Sequence, residues 1–158
     1  MCKGISILKA RIRQELFEEY ELERRVYERS PGSELELHFM YTDKPSVCLP
    51  VEIDGQLVIM EWGNRQSRES KLPRTGWCRS DSLKAGKWRW LRPEPCVVPA
   101  DMGHDKGVWF PINEGIRGIM VRDEQQQPHV YMLTADASVY YQNMTRHERM
   151  PVLVDQVI

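Results

Sequence analysis

Cys2 carries the most distinctive chemistry in the chain. An initiator methionine is generally removed when the following side chain is small, and cysteine qualifies. The product has an α-amine and a thiol on one residue. Their ordinary pKa values, about 8 and about 8.5, leave each partly in its reactive form at neutral pH. Such a 1,2-aminothiol condenses with an aldehyde: the amine forms a Schiff base, and the thiol then closes a five-membered thiazolidine ring. A second-position cysteine usually means nothing, so other residues must supply proton transfer and substrate binding.

The remaining cysteines, Cys48, Cys78 and Cys96, form no C-x-x-C pair and have no histidine at zinc-finger distance. They are expected to be free, small, buried hydrophobes, and neither a metal nor a cofactor is expected. The formal net charge of −1 points to no particular partner. Its distribution is more informative. Between Glu61 and Pro95 nine basic residues face four acidic ones, a local net of +5, and four of the five tryptophans fall there. Cations neutralise phosphates and aromatic faces accept unstacked bases, which suits single-stranded nucleic acid. The alternative is a solvated basic loop with its tryptophans turned inward.

These residues need a scaffold. A chain of 158 residues, 41% hydrophobic and 28% charged, suits one domain spanning 1–158 with a real core. No apolar run is long enough to span a bilayer, and the first residues lack a secretory pattern, so no membrane partner and a cytoplasmic location are expected. Leu8, Ile12, Leu16 and Tyr20 recur every fourth position, which predicts an amphipathic helix over 6–29, ended by Ser30-Pro31-Gly32. The period then changes to two. Leu35, Leu37 and Phe39 predict a strand, and 51–53 and 57–60 flank Asp54-Gly55 as a hairpin. Residues 63–76 read as a long exposed loop. Further strands are expected at 96–98, 109–112, 116–121, 130–134 and 152–154, with 122–128 joining two of them as a hairpin. The expected class is α+β, mainly antiparallel, with an N-terminal amphipathic helix.

Several segments share an order with a known family. Behind Met1-Cys2 come Glu61-Trp62-Gly63, then Cys96-Val97-Val98-Pro99-Ala100-Asp101, Leu133-Thr134-Ala135-Asp136-Ala137 and His147-Glu148-Arg149-Met150-Pro151-Val152. In this order they resemble the SRAP family (SOS response-associated peptidase), which reads M-C-G-R, W-G, N-A-R-x-E, C-x-V-P-A-D-G-x-x-E-W and H-x-R-M-P-V. The resemblance spans most of the chain and is patchy between Lys9 and Ile59. It implies a bifurcated sheet or pseudo-barrel. It also implies a monomer that crosslinks its N-terminal cysteine to the aldehyde of abasic sites in single-stranded DNA, in a bacterial nucleoid or a phage-infected cell. The family's C-terminal extension is missing here, as in a compact, divergent version.

Carried over position by position, the resemblance makes Cys2 the nucleophile and His147 the proton-transfer group. Asp105 falls where the family has an active-site glutamate one methylene longer, and His104 beside it is an unexpected titratable neighbour. Without the resemblance, Asp105 reads as a solvated acid in a turn over 102–107. Arg79 and Asp81 match the R and E of N-A-R-x-E, so Arg79 would grip a phosphate and Asp81 would orient it. Trp77 stands in for the family asparagine and either stacks on a base or fills the pocket. Lys3 keeps a positive charge beside the nucleophile, and Arg65, Arg68 and Arg149 complete the expected DNA-binding set. Two alternatives stay open: a non-covalent DNA-binding module that has lost the reaction, and a cysteine peptidase using Cys2 and His147.

Overall fold

A computed structural model describes residues 1–66 and 71–158. Twelve strands, β1 to β12, form two sheets. The first has the order β2 (Val26–Glu28), β3 (Leu35–Met40), β1 (Gly4–Leu8), β8 (Met102–Asp105), β9 (Val108–Pro111), and every pairing in it is antiparallel. In the second, β10 (Gly115–Arg122), β7 (Glu94–Pro99), β4 (Cys48–Ile53), β5 (Gln56–Trp62) and β11 (Pro128–Asp136) follow one another. Because β11 also pairs with β10, these five close into a barrel, which leaves them no free edge. Two short strands, β6 (Trp77–Arg79) and β12 (Arg149–Pro151), attach to the C-terminal end of β11. The mainly antiparallel α+β expectation agrees with this. No helix among the described residues is long and apolar enough to cross a membrane.

The expected N-terminal helix over 6–29 is corrected by the structure. Ile5 and Ile7 lie fully buried in β1, the central strand of its sheet, and β-branched side chains suit that position. There α-helix survives only as α1 (Gln14–Glu19), flanked by 3-10 turns at Lys9–Arg11 and Leu22–Arg25 and ended where Glu21 turns left-handed at φ 51°. A one-and-a-half-turn helix cannot stand alone in water, and Leu16 and Phe17 hold it by burial. The four-residue spacing of Leu8, Ile12 and Leu16 is therefore met by a strand end, an extended residue and a helix in turn. A second difference is the last strand, which is β12 at Arg149–Pro151, whereas Leu153 makes only an isolated bridge to Ile116.

The hairpin at Asp54-Gly55 forms as its sequence demands. Both residues have positive φ, 51° and 74°, the signature of a tight two-residue turn between β4 and β5. At Gly63 the requirement is stricter: φ is +65°, and a β-carbon would lie 2.0 Å from the Thr75 carbonyl oxygen. That close approach ties down both ends of the expected 63–76 loop. Trp62 Nε1 donates to Gly76 O at 2.9 Å, and Asn64 Nδ2 to Leu72 O at 3.0 Å.

The main core lies between the sheets and includes Cys2, Ile5, Phe39, Trp62 and Phe110. A second cluster, with Cys78, Trp88, Ile119 and Tyr131, sits against β10 and β11. On the first sheet, Glu36 is nearly buried. Arg29 holds its carboxylate with two N–H bonds of 2.9 and 2.8 Å, and Ser6 and His38 add further contacts. The Arg29 guanidinium, more than the other donors, pulls the Glu36 pKa down to about 2. Its folded pKa thus lies below the ordinary 4.5. The stability this gives is present above about pH 4.5 and lost as pH falls toward 2. Urea midpoints should therefore fall through that window in the wild type and fall less steeply in Glu36→Gln. Equal slopes in the two proteins would show that Glu36 is not the linked group.

Candidate active site

Strand pairing carries residue 2 into the protein. Gly4 of β1 faces His104 of β8, Lys3 N donates to His104 O at 2.8 Å, and Tyr41 N to Lys3 O at 2.9 Å. The chain start is thus held between β3 and β8, and Cys2 is fully buried. Its carbonyl accepts from Trp77 Nε1 at 2.9 Å, and its Sγ donates to Gly4 O at 3.1 Å. Trp77 packs against Tyr41 and Trp62, with ring centroids 4.6 and 5.7 Å away.

Asp105 is the centre of the site. It lies on β8 with no exposed surface, so it is neither solvated nor in a turn. A carboxyl group without water must be met by donors and charges, and three groups meet this one. Tyr141 OH donates to Oδ2 at 2.7 Å, His147 Nδ1 lies 3.0 Å from both oxygens, and the Met1 ammonium is 3.1 Å from Oδ2. The ammonium also contacts His147 Nδ1 directly. One ring nitrogen cannot accept from the ammonium while donating to the carboxylate, so His147 Nδ1 serves one of the two partners at a time.

Each partner is brought in by its own local structure. Helix α3 (Val139–Thr145) starts where Ser138 Oγ accepts from Tyr141 N at 3.1 Å, which turns Tyr141 inward. The helix ends at Arg146, left-handed at φ 64°, and the next residue, His147, is set by its N–H donating to Thr145 Oγ1 at 3.2 Å. Burial pushes the Met1 amine pKa down, against the opposing pull of Asp105. Burial pushes the Cys2 thiol up to about 11. With Met1 in place the thiol is therefore a neutral donor at physiological pH. Tyr141 is pushed up strongly, first by burial and then by its bond to Asp105, so it stays a donor.

The structure thus brings the chain start, Asp105 and His147 together, and adds Tyr141, for which the sequence held no signal beyond a serine three residues earlier. It does not bring in His104. Neighbouring residues of a strand point to opposite faces, and the His104 ring packs on Trp109 at 4.7 Å, away from Asp105. Lys3 is exposed. Arg79 is exposed and paired with Asp81 through two contacts of 3.2 Å, the orienting arrangement expected. Arg149 donates to Asp136 at 2.8 Å and to Thr134 Oγ1 at 3.0 Å; Thr134 is also the β11 partner of Arg79. Arg65 is committed to backbone, donating to the carbonyls of Tyr41 and Asp43. Arg68 lies outside the described residues.

Cys78 and Cys96 are buried and Cys48 half-buried, all free thiols. A cleft of about 320 Å³ opens between the 3-10 turn Leu22–Arg25 and the segment joining β3 to β4, lined by Arg25, Asp43, Cys48, Met60 and Trp62. None of Cys2, Asp105, Tyr141 or His147 lines it.

No model of a known protein family matches the chain, and no curated protein matches it. Solved structures do. A protein from Bacteroides thetaiotaomicron is similar over 98% of this chain and 78% of its own, with a TM-score of 0.62 at 16% identity. One from Bordetella bronchiseptica is similar over 96% of this chain and 83% of its own, with a TM-score of 0.54 at 17% identity. At such identities the likeness is one of fold.

Removing the Tyr141 hydroxyl leaves the Asp105 carboxyl one donor short without water to replace it. Tyr141→Phe should cost about 1–3 kcal/mol in urea unfolding. In a double-mutant cycle with Asp105→Asn, that loss should be strongly non-additive. Additive effects would show that the two side chains do not act on each other.

Proposed function

We propose that the chain captures an aldehyde, that of an abasic site in single-stranded DNA, through the amine and thiol of Cys2 once Met1 is gone. The observation that carries this reading is the convergence of the chain start, Asp105 and His147, residues far apart in sequence, on one buried carboxyl group. The SRAP-like order of motifs supports it, because Cys2, Asp105 and His147 are the positions that resemblance singles out. The neighbouring Arg79 and Arg149, on either side of β11, supply cations for the DNA backbone.

In chemical terms, the free amine of Cys2 adds to the aldehyde carbon, and the resulting carbinolamine loses water to give an imine. The thiol then adds to the imine carbon, its proton passing to the nitrogen, and a thiazolidine results. Asp105 holds the amine and takes up the proton it sheds on attack. His147, with Nδ1 on the carboxylate, passes protons to and from the departing oxygen. Loss of Met1 unblocks the amine of Cys2.

A second reading, non-covalent binding of single-stranded DNA, is favoured by the complete burial of Cys2 and its protonated thiol while Met1 remains. Intact-mass measurement after incubation with an abasic oligonucleotide separates the two. The covalent reading expects loss of Met1 and an adduct that survives denaturation, absent from Cys2→Ala when no reductant is added. An identical mass pattern for wild type and Cys2→Ala would sink it.

A further inference from the structure

The basic residues between Glu61 and Pro95 do not form one surface. Lys71 is paired with Glu124 at 3.0 Å, Arg79 with Asp81, and Arg65 with backbone carbonyls. A second group is different. Helix α2 (Ser80–Lys84) runs through Gly86 into the 3-10 turn Arg89–Leu91, and along it Lys84, Lys87, Arg89 and Arg92 are all exposed. Among the described residues none of the four has a salt-bridge partner.

The local backbone presses these charges together. Gly86 and Arg92 both adopt left-handed conformations, φ 80° and 52°. The Arg89 guanidinium folds back over Gly86, so close that a β-carbon there would sit 3.0 Å from its Nη2. Arg89 and Arg92, with Leu83 and Pro93, line a hollow of about 420 Å³. Two arginines lining one hollow concentrate positive charge there, and an anion within reach of both can accept from either fork. Beside them Trp90 is 62% exposed, whereas Trp62 is fully buried and Trp88 nearly so. Trp88 anchors the turn by packing edge-on against Tyr131 at 4.9 Å, which leaves Trp90 facing outward.

We propose that this hollow and Trp90 form a landing surface for single-stranded nucleic acid, separate from the Asp105 site. A phosphate sits between Arg89 and Arg92, and a base stacks on Trp90. An anionic membrane fits less well, because Leu83 and Leu91 pack inward on the second core and one indole is not an apolar face. The proposal extends the nucleic-acid part of the reading above and needs none of its chemistry.

The test is anisotropy of a labelled, undamaged oligothymidylate titrated with the full chain. Arg89→Glu/Arg92→Glu should weaken binding roughly tenfold or more and flatten the salt dependence, by about 0.7 in log–log slope for each phosphate no longer neutralised. Trp90→Ala should weaken binding roughly fivefold or more and leave that slope unchanged. The milder Arg89→Gln/Arg92→Gln gives the same reading if charge reversal unfolds the protein, as judged by circular dichroism. Wild-type affinity in the arginine and tryptophan variants overturns the proposal. So does binding to phosphatidylserine vesicles that depends on these residues while oligonucleotide binding does not. An undamaged strand carries no aldehyde, so this outcome is independent of adduct formation by Cys2.

Discussion

A carboxyl group cut off from water governs the arrangement of this protein. Asp105 has no exposed surface, and an acid in that position destabilises the fold unless donors and positive charge surround it. The groups that do so come from the chain's start and from two adjoining elements near its end, the helix α3 and the turn before β12. Each has to be delivered by a different element. Strand β1 threads between β3 and β8, Ser138 starts the helix that turns Tyr141 inward, and Arg146 turns left-handed so that the next residue can reach back. The same constraint gathers the chain start, Tyr141 and His147 around one acid. Tyr141 has a further part in it. An aspartate reaches less far than a glutamate, and a rigid phenol bonded to one oxygen fixes where the other points.

The sequence revealed much of this and hid the rest for physical reasons. Turn chemistry was legible: Asp54-Gly55 can scarcely be anything but a tight hairpin, and strands with alternating apolar residues, such as β3, appeared where expected. The N-terminal stretch was not. Its four-residue apolar spacing fits a helix as well as it fits what forms, and tertiary pairing decided between them. Strand β1 gains two hydrogen-bonded neighbours in a central position, which a surface helix would not have. For β8 the difficulty was composition. Met102-Gly103-His104-Asp105 has little strand propensity, and only its place between β1 and β9 makes it one. Tyr141 was invisible because a tyrosine on a short helix carries no mark of the acid it will meet.

The tryptophan-rich basic stretch shows the limit of charge counting. As a sequence it is one block. In the fold its members separate by partner: Arg65 braces a loop, Arg79 is held by Asp81, Trp77 clasps the carbonyl of residue 2, and Trp88 fills the second core. Among the described residues of the stretch, the cations left outward without a salt-bridge partner are Arg74 and the group Lys84, Lys87, Arg89 and Arg92 at and after the end of α2. The expectation of tryptophans turned inward holds for Trp62 and Trp88, whereas Trp90 faces outward.

Strand β11 gives the architecture its temporal character. It is hydrogen-bonded to β5, β6, β10 and β12, so the ring of strands has a keystone that follows ten of the other eleven strands in sequence. Until residues 128–136 exist, β5 and β10 have nothing between them, and neither half can settle. Pairings across such long separations slow folding, because loop entropy is lost before the pairing that repays it. During synthesis Cys2 and its neighbours must therefore wait, unburied, for residues made long after them. Tyr141 and His147, which close around Asp105 beside the chain start, leave the ribosome later still.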